Sequence, residues 1–285
     1  MTREKPEEIT FIDPLSDFGF KKIFGEEPNK DLLIAFLNEV FQGRKQIIDL
    51  VYSKNEHPGG TRDEGGAIFD LLCTGVNGEQ FIIEVQRSKQ ENFKKRAIFY
   101  TSRLISEQAP KGKRSEWDYA IREVYLIALL DGFSLEDTPP TAYLQDICLC
   151  YRNSGVVFYP GLEYIFVELI KFVKTEGELE TDLDRWLYVL KNMSRMKKIP
   201  VYLRKSIFEK LFQIASYCNL TKEEKRMYDT SLKRKWDNQN ALNYARKEGE
   251  YRKAVETATA MKKDGLSVEA IRKYTGLSKE EIEKL

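Results

Sequence analysis

The sequence holds a single histidine, His57, in 285 residues. That scarcity excludes most zinc hydrolases, which take several imidazole ligands, and leaves any Ser-His-Asp triad hanging on one residue in a polar, Gly-rich segment. Cysteine is sparse too, at 73, 148, 150 and 218. Cys148 and Cys150, one residue apart in an apolar run, match neither a zinc-knuckle nor a disulfide-framework spacing, and the four read as reduced core thiols. The longest apolar run, Val124 to Leu130, is far too short to cross a bilayer, so no membrane partner is expected. The N-terminus, Met-Thr-Arg-Glu-Lys-Pro-Glu-Glu, is charged at once and lacks the apolar core of a signal peptide, which predicts a cytoplasmic protein. There is no Gly-rich phosphate loop and no His-Asp pair, which disfavours a phosphohydrolase of small nucleotides. Repeats and low-complexity segments are missing as well. What remains for chemistry is carboxylates and lysines.

The composition is that of a soluble globular chain with an ample core: 42% hydrophobic, 12% aromatic and 32% charged, with a mean hydropathy of −0.49. The net charge of +1 hides segregation. Residues 131–190 carry 4 Lys and Arg against 11 Asp and Glu, whereas residues 191–285 carry 23 against 13. A shorter basic stretch, 87–122, has ten Lys and Arg against four acids. Segregated positive charge suits a polyanion, and it equally suits solvated helical faces.

Along the chain, Asp13 as cap and Pro14 in the first helical position predict an opening helix through Phe24, with a second after Pro28 and Asn29 that carries Leu32, Leu33, Phe36, Leu37, Val40 and Phe41 at 3–4 spacing. A strand is expected around 47–52 and an exposed loop over 53–66. Residues 67–73 and 80–86 read as two strands flanking Asn77-Gly78, a strong hairpin turn. A helix over 91–108 follows, with Phe93, Ala97, Tyr100 and Leu104 on one stripe. Val124 to Leu130 reads as a central strand covered on both faces. Residues 143–151 and 156–159 form a second expected hairpin, and from Glu163 onward the pattern is helical. Thr221-Lys-Glu-Glu224 and Ser278-Lys-Glu-Glu281 are capping boxes. The expected division is a core over 1–162, a basic helical region over 163–265 and a short helix-turn-helix-like element over 266–285. The last helix of that element is short and acidic, which favours packing or homo-oligomerisation over base reading.

Strand alternation puts Glu84 and Gln86 on one face and Phe81, Ile83 and Val85 on the other. A glutamate within Phe-Ile-Ile-Glu-Val is costly unless paired or bound to a cation, and Asp70 within Ile-Phe-Asp-Leu-Leu is in the same position. Two registers are open. A two-residue Asn-Gly loop sets Asp70 against Val85, leaving the carboxylates diagonal. A three-residue loop, Val76-Asn77-Gly78 with Gly78 left-handed, sets Asp70 opposite Glu84, with Cβ atoms about 5 Å apart and Gln86 on the same face. Two carboxylates that close repel, and a hard divalent cation resolves the repulsion. Oxygen ligands without His or Cys favour Mg²⁺ or Mn²⁺, and such an ion suits hydrolysis of a phosphodiester. The competing reading is a pair of buried salt bridges to the following basic helix, through Arg87 or Arg96.

Asp70, thirteen residues, then Glu84-Val85-Gln86 is similar to the PD-(D/E)XK nuclease signature. With Asp17-Phe-Gly-Phe-Lys-Lys-Ile-Phe-Gly25, Ile68-Phe-Asp70, Asn77-Gly78, Phe81-Ile-Ile-Glu-Val-Gln86 and the Arg96…Tyr100 helix, the chain resembles the Rpn family of recombination-promoting nucleases, also called PD-(D/E)XK nuclease family transposases. The resemblance implies an α/β, restriction-endonuclease-like mixed sheet flanked by helices, followed by an all-helical C-terminal region. It implies a Mg²⁺-dependent DNA endonuclease, Mn²⁺ substituting, associated with recombination. Asp70, Glu84 and Gln86 would be catalytic, Asp70 and Glu84 the metal ligands, and Asp17 a third candidate ligand. Gln86 stands where the usual lysine stands and brings no charge. Lys95, Arg96, Lys233, Arg234 and Lys235 are candidate DNA contacts. The alternative is a DNA-binding or assembly protein that keeps the nuclease fold with weak or no cleavage.

Overall fold

The turn and periodicity signals build most of the elements where they are expected. The computed structural model describes residues 10–54, 56–57, 67–110 and 118–285. In chain order the regular elements are α1 (Asp17–Phe24), α2 (Lys30–Phe41), β1 (Leu50–Tyr52), β2 (Glu56–His57), β3 (Ala67–Ile68), β4 (Leu71–Gly75), β5 (Gln80–Gln86), α3 (Phe93–Glu107), β6 (Val124–Leu130), β7 (Leu144–Cys150), β8 (Val157–Glu168), α4 (Asp182–Asn192), α5 (Ser206–Ala215), α6 (Lys222–Lys263), α7 (Val268–Thr275) and α8 (Lys279–Lys284). They fall into two compact units, Met1–Tyr228 and Asp229–Leu285. No helix among the described residues is long and apolar enough to cross a membrane.

The first unit is built on a six-stranded mixed sheet in the order β1-β4-β5-β6-β8-β7. β5, β6 and β8 are mutually parallel, and the outer pairings are antiparallel. All seven residues of β6 are buried, as a central strand covered on both faces requires. On one face α3 lays Phe93, Ala97 and Leu104 against Leu72, Ile82, Leu126 and Ala128. On the other, Phe41 of α2 meets Phe81 and Tyr125 edge-on, and Phe24, Phe36 and Phe208 surround the buried Trp186.

Four expectations need correction. The opening helix is capped by Ser16, whose Oγ accepts from Gly19 N at 2.9 Å, and not by Asp13, which caps the preceding turn through Leu15 N. The run 67–73 is two strands, because Phe69 and Asp70 break it: β3 pairs with β2 and β4 joins the main sheet. Residues 163–168 complete β8 instead of opening a helix, since the Tyr164–Val167 run is held between β6 and β7. Of the cysteines only Cys73 is buried, because Cys148 and Cys150 lie on the edge strand β7 and Cys218 is exposed. The loop expected at 53–66 lies largely outside the described residues, as do Lys111, Lys113 and Arg114.

The glycine of Asp17-Phe-Gly-Phe has a steric reason. A Cβ on Gly19 would lie 2.0 Å from the Asp13 carbonyl oxygen and 2.7 Å from Ser16 Oγ. The Asp13–Ser16 turn packs directly on the first turn of α1, and only a hydrogen fits between. Gly19→Ala is therefore expected to destabilise the protein by about 1–3 kcal/mol, the usual cost of overpacking, measurable as a lower denaturant midpoint at unchanged slope.

In the second unit, Ile271, Leu277 and Ile282 bury themselves against Ala258 of α6. Gly276 at φ +72° turns the chain between α7 and α8. The Ser278–Glu281 capping box starts α8, and Lys262 Nζ donates to the Ile282 carbonyl near its end, at 3.0 Å.

Candidate active site

The β4–β5 hairpin decides how the two carboxylates stand. Gly75 N donates to Glu79 O at 2.8 Å, Gly78 N donates to Gly75 O at 3.0 Å, and Gly78 is left-handed at φ +82°. This is the three-residue loop. The ladder pairs Thr74 with Gln80 and Leu71 with Ile83, so Asp70, one residue beyond its end, comes opposite Glu84. The break at Phe69–Asp70 leaves Val85 N–H without a strand partner there, and Asp70 Oδ2 accepts it at 2.8 Å. A side chain thus finishes the ladder, fixing the Asp70 carboxylate beside β5.

Both carboxyls are desolvated. Burial, more than anything else, pushes the Glu84 carboxyl up to about 7; the neighbouring Asp70 charge adds to this and Arg96 opposes it. Burial also raises Asp70, against the Val85 hydrogen bond and the charge of Lys21. Glu84 on β5 and Asp70 just before β4, both raised by burial, form a cradle in which a cation would favour the charged carboxylates. Among the described residues no group of three or more His, Cys, Asp and Glu is placed to hold a metal ion. Two carboxylates nevertheless fit Mg²⁺, which keeps several waters and is commonly held by one or two carboxylates together with substrate phosphate.

The other expected residues divide. Gln86 shares the Glu84 face and is buried; its Nε2 donates to Ser88 O at 2.8 Å and its Oε1 accepts from Arg96. Arg96 also lies 3.7 Å from Glu84 Oε2, so the salt-bridge reading and the cation reading meet at one carboxylate. Asp17 is ion-paired with Lys21 at 2.9 Å and well exposed, although its charge is felt at Asp70. Lys95 is exposed on α3. Lys233, Arg234 and Lys235 lie on the part of α6 that belongs to the second unit, the first two of them exposed.

Two further features escape sequence reasoning. Arg87 Nη2 is buried without a hydrogen bond and lies 4.0 Å from Asp13 Oδ2; its charge also reaches Asp70. Just beyond Ser88 a cavity of about 720 Å³ opens between Lys89–Lys95 and Phe133–Asp137. The ion pair Lys94–Asp137, at 2.6 Å, joins its walls.

The family model for PD-(D/E)XK nuclease family transposases matches residues 14–245, from before α1 into α6. The chain belongs to this family. Membership agrees with the mixed sheet, with its flanking helices and with a nuclease- or transposase-related function. No curated protein and no solved structure matches the chain.

Proposed function

We propose that this PD-(D/E)XK family member is a Mg²⁺-dependent DNA endonuclease acting in recombination, with Asp70, Glu84 and Gln86 at its centre. The observation that carries the reading is the register that brings Asp70 opposite Glu84, two carboxyls that burial raises above their ordinary range. Asp70 and Glu84 would hold the ion, Mg²⁺ or Mn²⁺ by their hard oxygen donors. When bound, such an ion polarises the phosphate and lowers the pKa of a coordinated water. Gln86 contributes orientation rather than charge: its amide can accept from a water and donate toward phosphate once it exchanges its present partners. Lys95 and Arg96 of α3, with Lys233, Arg234 and Lys235 of α6, are assigned to the DNA backbone, where each contact adds to the salt dependence of binding.

A second reading, a DNA-binding or assembly protein with little cleavage, is favoured by the uncharged Gln86 and by the two-carboxylate cradle. Supercoiled plasmid incubated with Mg²⁺, Mn²⁺, Ca²⁺ or EDTA separates the two. Nicking with Mg²⁺ or Mn²⁺ that is lost in folded Asp70→Ala and Glu84→Ala is the expected result. Absence of cleavage with DNA retained in a gel shift would establish the second reading. Cleavage that survives both substitutions would place the chemistry elsewhere.

A further inference from the structure

Arg96 stands near the start of α3 and reaches back to the end of β5. Its Nη2 donates to Gln86 Oε1 and lies 3.7 Å from Glu84 Oε2, while Nη1 donates to Gln90 Oε1. The side chain is 23% exposed. One turn further on, the Tyr100 ring lies 5.8 Å from the guanidinium and is itself set edge-on against Phe69 at 5.1 Å. This arrangement conflicts with the site at work. Glu84 cannot give its full charge to an ion while it faces a guanidinium, and Gln86 cannot turn to a water while both ends of its amide are engaged.

Charge counting resolves the conflict. Without an ion, Arg96 is the cation set against Glu84, while Lys21 and Arg87 act on Asp70. With a divalent cation the carboxylate pair is neutralised, and the guanidinium charge is left over inside a partly enclosed site. A phosphodiester brings the single negative charge that matches it, with planar oxygens suited to the guanidinium fork.

We propose that Arg96 is an internal competitor for the cation site: it holds Glu84 and Gln86 in the metal-free protein, yields Glu84 to a divalent cation, and passes its guanidinium to a substrate phosphate oxygen. The inference rests on the nuclease reading and adds a role to it. Arg96 supplies at the phosphate the charge that Gln86 lacks, and it keeps Glu84 paired between turnovers. The Tyr100 ring gives the guanidinium a face to rest on in either position.

Calorimetric titration of the full-length protein with Mg²⁺ at pH 8 tests this without reference to cleavage. Arg96→Met removes the competitor and is expected to bind Mg²⁺ several-fold to roughly tenfold more tightly than the wild type, the scale of one charge-assisted contact. It is also expected to hold duplex DNA more weakly in Ca²⁺. A residue that merely supports the site would lose both affinities together. Arg96→Gln keeps polar contact with Gln86 and Gln90, and serves if the methionine variant does not fold. Adding Glu84→Gln to either variant should abolish the heat of binding, placing the ion at the pair. Unchanged or weaker Mg²⁺ binding in a folded Arg96 variant would overturn the competitor role alone. No Mg²⁺ binding by the wild type or by either variant would sink the nuclease reading, and the competitor role with it.

Discussion

Glu84→Gln is expected to make the metal-free protein more stable at pH 8 while reducing metal-dependent cleavage by about 10²–10³-fold, the scale of removing one element from a preorganised electrostatic site. The two effects have one origin. Burial and the Asp70 charge raise the Glu84 carboxyl from its ordinary range to about 7. A raised folded-state value means that the favourable contribution is complete below the ordinary value near 4.5 and is lost as pH rises through 7. The span between those values corresponds to about 3 kcal/mol. Glutamine does not titrate, so the variant should keep above pH 7 the stability that the wild type loses there. Groups around the carboxyl modulate the size of the effect: Asp70 increases it and Arg96 reduces it. Denaturant unfolding at pH 5 and pH 8 in EDTA should show the wild type losing stability between the two and Glu84→Gln losing much less. Excess Mg²⁺ should then reverse the order at pH 8, because binding to the folded state alone stabilises only the chain that still has both proposed ligands. Equal pH dependence in the two proteins would mean that the carboxyl is not desolvated as the structure places it.

That same residue shows where the sequence was legible and where it was not. A glutamate inside an apolar strand and an aspartate inside another announce a site, because burial of a lone charge needs a reason visible in the chain itself. Whether the two meet depends on one residue of turn length. Asn77-Gly78 serves either loop, and the choice is made by contacts that the local sequence does not display. Among these are the Glu79 carboxylate accepting from Asn77 N at 2.9 Å, and Lys45, far away in the chain, 3.5 Å from that carboxylate. The break between β3 and β4 is hidden for a similar reason, since Ile-Phe-Asp-Leu-Leu alternates no differently whether it is one strand or two. β8 misleads in the opposite sense. Its last residues carry an apolar run compatible with helix, and pairing with β6 across more than thirty intervening residues makes it a strand. Signals that act within four residues were readable in part: the Ser278–Glu281 box and Gly276 stand as expected, whereas the boxes at Thr175–Glu178 and Thr181–Asp184 were not singled out. Arg96 fell between these cases: its salt bridge to a strand carboxylate was one of the open readings, but its hydrogen bond to Gln86 is a matter of tertiary distance.

Glu168 is the other residue whose loss should be felt strongly, and it lies outside the reacting groups. It ends β8 fully buried, and its carboxylate accepts from Leu135 N at 2.7 Å, Thr138 Oγ1 at 2.8 Å, Gln145 Nε2 at 2.9 Å and Lys171 Nζ at 3.0 Å. One carboxylate therefore ties the chain after β6 to β7 and to the turn after β8. Lys171 is itself almost fully enclosed and also donates to the Pro139 carbonyl at 3.0 Å. Glu168→Ala strips four donors of their acceptor and leaves a buried ammonium without its counter-charge, a change expected to cost about 3–5 kcal/mol. The loss should be largely coupled to Lys171. Glu168→Leu combined with Lys171→Met removes both charges and should be less destabilising than either single change, as a double-mutant cycle by denaturant unfolding would show. Purely additive losses would mean that the pair is not the source of the cost. A functional consequence follows from position. The segment that Glu168 anchors, Phe133 to Asp137, forms one wall of the cavity just beyond Gln86 and Ser88, and Asp137 pairs there with Lys94 of α3. In the destabilised single variant, limited proteolysis should cut first within 131–142, and cleavage of DNA should weaken before the sheet unfolds. The proposed centre at Asp70 and Glu84 would then be intact but bordered by a wall no longer held in place.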